Sequence, residues 1–152
     1  MNKTRGFTLI EVLIAVVILA VGLLGMASLT LSSLQSSQGA SLRSQASALA
    51  GDLGERLRAN RDFAIDNDTD YLLAAGEGAT AKPACIDGNN GCNESDQAQR
   101  DLFEWRTALT NNIPGSTAVI TKPSDRQYLL VLSWSEAGNR GVVSSYTLRI
   151  DL

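Results

Sequence analysis

The sequence predicts an α+β fold: a long N-terminal helix, transmembrane in its first half and amphipathic in its second, packed on a small antiparallel sheet head. Three observations carry this prediction. An apolar run of about 21 residues occupies positions 7–27, long enough for a membrane span. Apolar residues then recur at helical spacings as far as Asn60. The last third of the chain instead alternates apolar and polar residues with the two-residue period of strands.

The chain of 152 residues divides accordingly into a leader (1–6), a transmembrane helix (7–27), its amphipathic continuation (28–60) and a globular head (61–152). As a helix, the apolar run spans roughly 31 Å at about 1.5 Å per residue, enough to cross a bilayer core. Its only ionisable side chain is Glu11. A carboxylate in lipid costs about 2.5–3.5 kcal/mol, marks function and implies a partner. Lys3 and Arg5 are the only cations before Arg43, so the positive-inside rule puts the N-terminus in the cytoplasm and the remainder outside. A secretory signal would carry a small-residue cleavage site after the apolar run, but residues 28–37 continue a helical pattern. The candidate cut, Gly6-Phe7, lies before the run, where cleavage removes the basic leader and keeps the helix as an anchor. A plain uncleaved signal anchor accounts for the length and the charge asymmetry. It does not account for Gly-Phe-Thr-Leu-Ile-Glu at the opening of the run.

Past the membrane segment, Leu29, Leu31, Leu34, Leu42, Ala46, Leu49, Leu53 and Leu57 repeat mainly at spacings of three, four and seven, and no proline interrupts them. One helix from Phe7 to Asn60 would measure roughly 80 Å. Gly39, Gly51 and Gly54 weaken it and are candidate bends. Residues 61–93 read as loop. Asp62, Asp66, Asp68 and Asp70 crowd there, but no glycine at the right offset and no closing glutamate complete a calcium loop, so a solvated acidic turn is expected. Cys85 and Cys92 flank Asp-Gly and Asn-Gly turn formers that let the chain double back. A disulfide there would stabilise by roughly 2.5 kcal/mol on the chain-entropy model; reduced structural cysteines are the alternative. Redox C-x-x-C spacing is absent, and two cysteines without histidine argue against zinc.

A second helix is expected after Asn93 as N-cap, with Glu94 and Asp96 in its first turn and Ala98, Leu102, Trp105 and Leu109 on its buried face. Phe103 and Trp105 suggest a binding surface, but Trp105 at this spacing reads as core. Pro114-Gly115 ends the helix. Strands follow at 117–122, 127–136 and 141–152, with 136–141 as a hairpin loop. Tyr128, Leu130, Leu132 and Trp134 mark the middle strand as central, and Tyr146, Leu148 and Ile150 alternate with Thr147, Arg149 and Asp151 as in a sheet with one wet face.

Thirteen Lys and Arg stand against 16 Asp and Glu with no His, a net charge of −3 that loss of Lys3 and Arg5 would lower by two more. No basic cluster argues for a nucleic-acid surface. The absence of histidine excludes His-based triads and His-containing metal sites. No nucleophile motif, phosphate loop or ligand cluster is present, so no enzyme, cofactor, metal or small-molecule substrate is expected.

Gly6-Phe7-Thr8-Leu9-Ile10-Glu11-Val12 resembles the class III signal of type IV prepilins and type II secretion pseudopilins. The resemblance implies a type IV pilin-like fold, cleavage after Gly6 by a prepilin peptidase and N-methylation of Phe7. It also implies subunit docking in which Glu11 neutralises the amino group of Phe7 on a neighbouring subunit. That role has a physical basis, because an ammonium and a carboxylate are each costly alone in a low-dielectric core and much less so together. A tolerated interfacial glutamate is the plainer reading of Glu11. Residues 20–27, Ala-Val-Gly-Leu-Leu-Gly-Met-Ala, resemble PilV-type minor pilins, also called type IV pilus modification proteins. Major pilins usually carry a proline nearby, whereas this chain has none before Pro83. Gly22 and Gly25 read either as local softness, at about 1 kcal/mol each against Ala, or as close packing against another helix.

The implied function is that of a structural minor pilin taking part in type IV pilus assembly, in a priming or tip complex. Its implied partners are the prepilin peptidase, other minor pilins, the major pilin and inner-membrane lipid. Its implied location is the inner membrane, single-pass with a periplasmic head, and then the pilus at the cell surface. A minor pseudopilin of a type II secretion system is the alternative within the same class. A membrane-tethered adhesin or DNA-binding module is the alternative from another class.

Overall fold

The computed structural model describes residues 8–67, 69–78, 81, 85, 91–136 and 143–152. Gly6, Phe7 and the 137–142 part of the expected hairpin loop lie outside the described residues. The chain divides into two compact units, Met1–Gln38 and Gly39–Leu152.

Helix α1 (Leu9–Ala59) passes through Gly22, Gly25, Gly39, Gly51 and Gly54 as one element. Within Met1–Gln38 every described residue is exposed in this chain, Leu9 at 79% and Leu29 at 73% among them. This helix is long and apolar enough to cross a membrane, and so much bare apolar surface calls for lipid or other protein around it.

Within Gly39–Leu152, α1 buries Ala46, Ala50, Leu53, Gly54 and Leu57. The expected stripe therefore packs only from Leu42 onward, since Leu29, Leu31 and Leu34 lie in the exposed unit. Ala46, Ala50 and Gly54 fall at i, i+4 and i+8 and let the sheet approach closely. A Cβ on Gly54 would meet Arg58 Nη1 at 3.6 Å and Ile150 at 3.9 Å, ordinary contact distances, so the space would also admit alanine.

The 61–93 loop expectation needs correction at its start. Asn60 departs from helical backbone (φ −112°, ψ 40°), and a short helix α2 (Arg61–Asp66) follows. Its carbonyls find partners remote in sequence. Tyr128 Oη donates to Ala64 O at 2.7 Å, and Lys122 Nζ donates to Ile65 O at 2.7 Å and Asn67 O at 3.0 Å. Six residues cannot sustain a helix alone, so no local pattern announced it. Asn67 Oδ1 then accepts from the backbone N–H groups of Thr69 and Asp70, both at 2.8 Å, forming an Asx turn.

Helix α3 (Glu94–Asn112) begins as expected: Asn93 Oδ1 accepts from Asp96 N at 2.7 Å, with Glu94 and Asp96 at the positive end of the dipole. It stops at Ile113, where Ser116 N donates to Ile113 O at 3.1 Å across Pro114 and Gly115 (φ 75°). Proline and then a positive-φ glycine at the centre is the pattern of a type II turn.

Strands β1 (Thr117–Ser124), β2 (Gln127–Ser135) and β3 (Val143–Asp151) form an antiparallel sheet in the order β1-β2-β3. The register pairs Val119 with Val131 and Val131 with Thr147. It shifts between Thr121 and Ser124, where Pro123 has no N–H for a ladder and is tolerated because β1 is an edge strand. Leu73 bridges Ile120 on that edge, with bonds of 3.2 and 2.9 Å. Ala118, Ile120, Tyr128, Leu130, Leu132, Trp134 and Ile150 join the buried faces of α1 and α3 in one core. The sheet's other face is half-exposed on β2 and wetter on β3, the alternation that the sequence predicted.

Candidate functional site

Thr8 is the residue from which α1 departs, and Glu11 is the third residue of that helix. Thr8 N and Thr8 Oγ1 both donate to Glu11 Oε2 at 3.2 Å, and Glu11 N donates back to Thr8 Oγ1 at 3.4 Å. This reciprocal arrangement is a capping box. It satisfies two donors that a helix start leaves without partners, and it places the carboxylate at the positive end of the dipole. Among the described residues no hydrogen bond reaches Oε1 of Glu11. Val12, Ala15, Val16 and Leu19 share its face of the helix, so a carboxylate with one uncommitted oxygen stands in a stripe of otherwise apolar side chains. That arrangement can receive a cation from another molecule.

In the head, Arg56 of α1 reaches three carboxylates. Its Nε lies 3.0 Å from Asp52 Oδ2, and its Nη1 lies 3.3 Å from Asp101 Oδ1 and 3.2 Å from Glu104 Oε2 on α3. Asp101 is only 5% exposed. It also accepts from Gln97 Nε2 at 2.8 Å and from Tyr71 Oη at 3.0 Å, and Asn60 Nδ2 donates to Tyr71 Oη at 3.1 Å. Buried charge is tolerated when its lone pairs are filled in this way. Burial pushes the Tyr71 phenol well above its ordinary value. Burial acts against the charge on Arg56, but Asp52 and Glu104 outweigh it and raise the guanidinium above its ordinary value.

Arg100, whose Nε lies 2.7 Å from Glu104 Oε1, is the first cause holding the Glu104 carboxyl below its ordinary 4.5, and Arg56 adds to it against burial. A depressed folded-state value contributes stability that is present above the ordinary value and lost as pH falls through the folded one. Melting temperature should therefore fall as pH drops below about 4.5, and Glu104→Gln should flatten part of that fall. Glu104 is 40% exposed, so screening holds its share within about 1 kcal/mol. Thermal melts of both forms from neutral pH down through this range check it; identical slopes would count against it.

Cys85 and Cys92 are joined as a disulfide with their Cα atoms 4.6 Å apart. Among the described residues no group of three or more Asp, Glu, Cys or His side chains could hold a metal ion. The acidic stretch instead has the ammonium of Lys122 against its backbone carbonyls. Trp105 is fully buried and its Nε1 donates to Leu49 O at 2.7 Å, whereas Phe103 is 41% exposed. Glu11 belongs to the Met1–Gln38 unit, whereas the disulfide and the Arg56 network belong to the Gly39–Leu152 unit. Thr8 was legible in sequence as the first member of T-x-x-E. Lys122 and the Arg56–Asp101 pair had no local signal, because each joins groups at least 45 residues apart.

Comparison with protein families gives two matches. Residues 1–27 match the prokaryotic N-terminal methylation motif. Residues 28–103, half of the chain, match the family of type IV pilin Tt1218. No curated protein and no solved structure matches the chain. The methylation motif implies processing by a prepilin peptidase and incorporation into the pilus with other pilins. A membrane-length apolar helix, a capped glutamate in its first turn and a small three-stranded antiparallel head agree with these matches, and the chain belongs to the type IV pilin family, whose members are structural proteins of the pilus.

Proposed function

We propose that this protein is a minor pilin of the PilV type, non-enzymatic, which joins other minor pilins in a complex that primes pilus assembly or caps its tip. The observation that carries the reading is Glu11, a carboxylate held in the first turn of an exposed apolar helix with one oxygen uncommitted. Residues 1–6 are the leader, cut between Gly6 and Phe7, and Phe7 is then N-methylated. The Phe7 ammonium of one subunit pairs with Glu11 of its neighbour. The pair neutralises two charges that the apolar surroundings would otherwise penalise.

Residues 7–27 anchor the chain in the inner membrane, 28–60 continue the helix, and 61–152 form the periplasmic head. Lys3 and Arg5 before the helix support this orientation, and the Cys85–Cys92 disulfide suits an oxidising compartment. The Ala20 to Ala27 segment and the lack of an early proline favour a minor over a major pilin.

Mass analysis of the N-terminus, on protein from membranes of the native host, tests the reading. A chain beginning with N-methylated Phe7 is expected. A chain still beginning at Met1 in a processing-competent cell would leave a plain signal anchor and remove the basis for docking through Glu11.

A further inference from the structure

The two edges of the sheet are built differently. On β1 the outward-facing Ile120 is already paired, exchanging bonds of 3.2 and 2.9 Å with Leu73. Further along that edge Pro123 lacks an N–H and the register shifts, while the Lys122 ammonium is drawn onto the carbonyls of Ile65 and Asn67. Proline, an irregular register and a covering segment are the devices that keep an edge from pairing with another chain. β3 has none of them among the described residues. Its nine residues, Val143–Asp151, include no proline, glycine or lysine. Its register with β2 runs unbroken from end to end. Its only charges, Arg149 and Asp151, pair with each other at 3.2 Å.

Leu152 N donates to Arg126 O at 2.9 Å, which sets the phase of the β2–β3 ladder. Bonded pairs alternate along an antiparallel ladder, so Ser144, Tyr146, Leu148 and Ile150 are the residues whose backbone bonds reach β2. The N–H and C=O groups of Ser145, Thr147 and Arg149 therefore point away from the sheet. Among the described residues none of these groups has a hydrogen-bond partner, and all three residues are exposed. Such a row of alternating donors and acceptors fits an extended segment laid alongside as a fourth strand. The neighbouring side chains give the pattern that this segment needs. Tyr146 and Leu148 are half-buried against the core, whereas Ser145, Thr147 and Arg149 stand on the wet face. A strand that alternates apolar and polar residues matches both faces.

A second copy of this chain does not suit the edge. Within the head, α1 runs along β3 in the same direction. A Cβ on Gly39 would lie 3.5 Å from the Glu136 carboxylate, Ser47 Oγ lies 3.3 Å from Tyr146 Oη, and Gly54 lies beside Ile150. β3 paired with β3 about a two-fold axis is antiparallel. That pairing would run the α1 segments of the two heads in opposite directions, whereas subunits drawn from one membrane into one filament share a direction. We infer that the outer edge of β3 takes an extended segment of a different pilin subunit as a fourth strand, bonded through the backbone of Ser145, Thr147 and Arg149. The inference rests on the entry of this chain into the pilus beside other pilins.

The test compares the full-length chain with Thr147→Pro, Thr147→Val and the double change Ser145→Lys with Thr147→Lys. It measures the amount of each in sheared pili of the native host relative to the major pilin. It also measures the melting temperature, oligomeric state and amide hydrogen exchange of the purified proteins in detergent. Proline at 147 removes an outward N–H and no bond to β2, and valine keeps that N–H. Thr147→Pro should therefore enter pili less by about tenfold or more, while Thr147→Val enters as the wild type does. The lysine pair leaves every backbone group in place on an exposed face, so it should melt like the wild type and still enter pili several-fold less. Wild-type pilus content in a Thr147→Pro protein that melts normally overturns the inference. If Thr147→Pro melts far below the wild type, the lysine pair decides, and its normal entry overturns the inference. In the purified wild type the amides of Ser145, Thr147 and Arg149 should exchange faster than those of Tyr146, Leu148 and Ile150 by about a hundredfold or more. Equal protection in a monomer would mean that the chain covers its own edge, and a wild-type dimer that Thr147→Pro dissociates would make the occupant a second copy; either result overturns the inference. A wild-type chain absent from pili and uncut at Gly6 sinks the pilus role itself and this inference with it, an outcome distinct from normal entry of the variants.

Discussion

Glu11→Val is expected to keep the protein out of pili, lowering its amount in sheared filaments by about tenfold or more, while its level in the membrane stays unchanged. The expectation follows from the cost of an unpartnered charge in apolar surroundings. If the Phe7 ammonium of a neighbour sits in the filament core, only a carboxylate can neutralise it there. Valine would even ease residence in the bilayer, since a mid-membrane carboxylate costs about 2.5–3.5 kcal/mol.

Glu11→Gln separates two roles of the side chain. Glutamine still accepts from Thr8 N and Thr8 Oγ1, so the capping box persists. It carries no charge, so the proposed pairing does not. Glutamine should therefore fail in pili nearly as completely as valine. Normal filament content of the glutamine variant would mean that Glu11 serves the helix start alone. Processing at Gly6-Phe7 is followed in parallel, so that a failure of cleavage is not mistaken for a failure of docking.

Trp105→Ala should be the most damaging single change in the head. Trp105 is fully buried and lies within the one core that α1, α3 and the sheet share. Truncating a buried tryptophan costs about 3–5 kcal/mol. The indole also donates to Leu49 O across the two helices at 2.7 Å, a bond that alanine cannot make. For a head of this size the loss corresponds to a melting temperature lower by about 15–25 °C. Phe103→Ala, two residues away on α3 but 41% exposed, should shift stability by no more than about 0.5 kcal/mol. Circular dichroism melts of the full-length protein in detergent, with the disulfide intact, compare the two. A Trp105 variant that melts within a few degrees of the wild type would contradict the central place given to this residue in the core.

Wherever structure depends on near neighbours along the chain, the amino-acid order was sufficient. The apolar run with Glu11, the Leu and Ala spacing from Leu42 to Leu57, Asn93 as cap, the stop at Pro114-Gly115 and the alternation in β2 and β3 all express periods of 3.6 or two, or the needs of a single helix end. The α+β class followed from those signals, and membership of the pilin family from the matches over residues 1–27 and 28–103. The register of β1 against β2, helix α2, the ammonium of Lys122 on the carbonyls of Ile65 and Asn67, and the Arg56–Asp101 link followed from none of them. The bonds that hold α2, those of Lys122 and Tyr128, and the Arg56–Asp101 link each join groups at least 45 residues apart, and their energy exists only once the core has brought them together. Gly54 illustrates the division. By propensity it weakens a helix, and only the tertiary structure places it on the buried face of α1 with Ile150 3.9 Å from where its Cβ would stand.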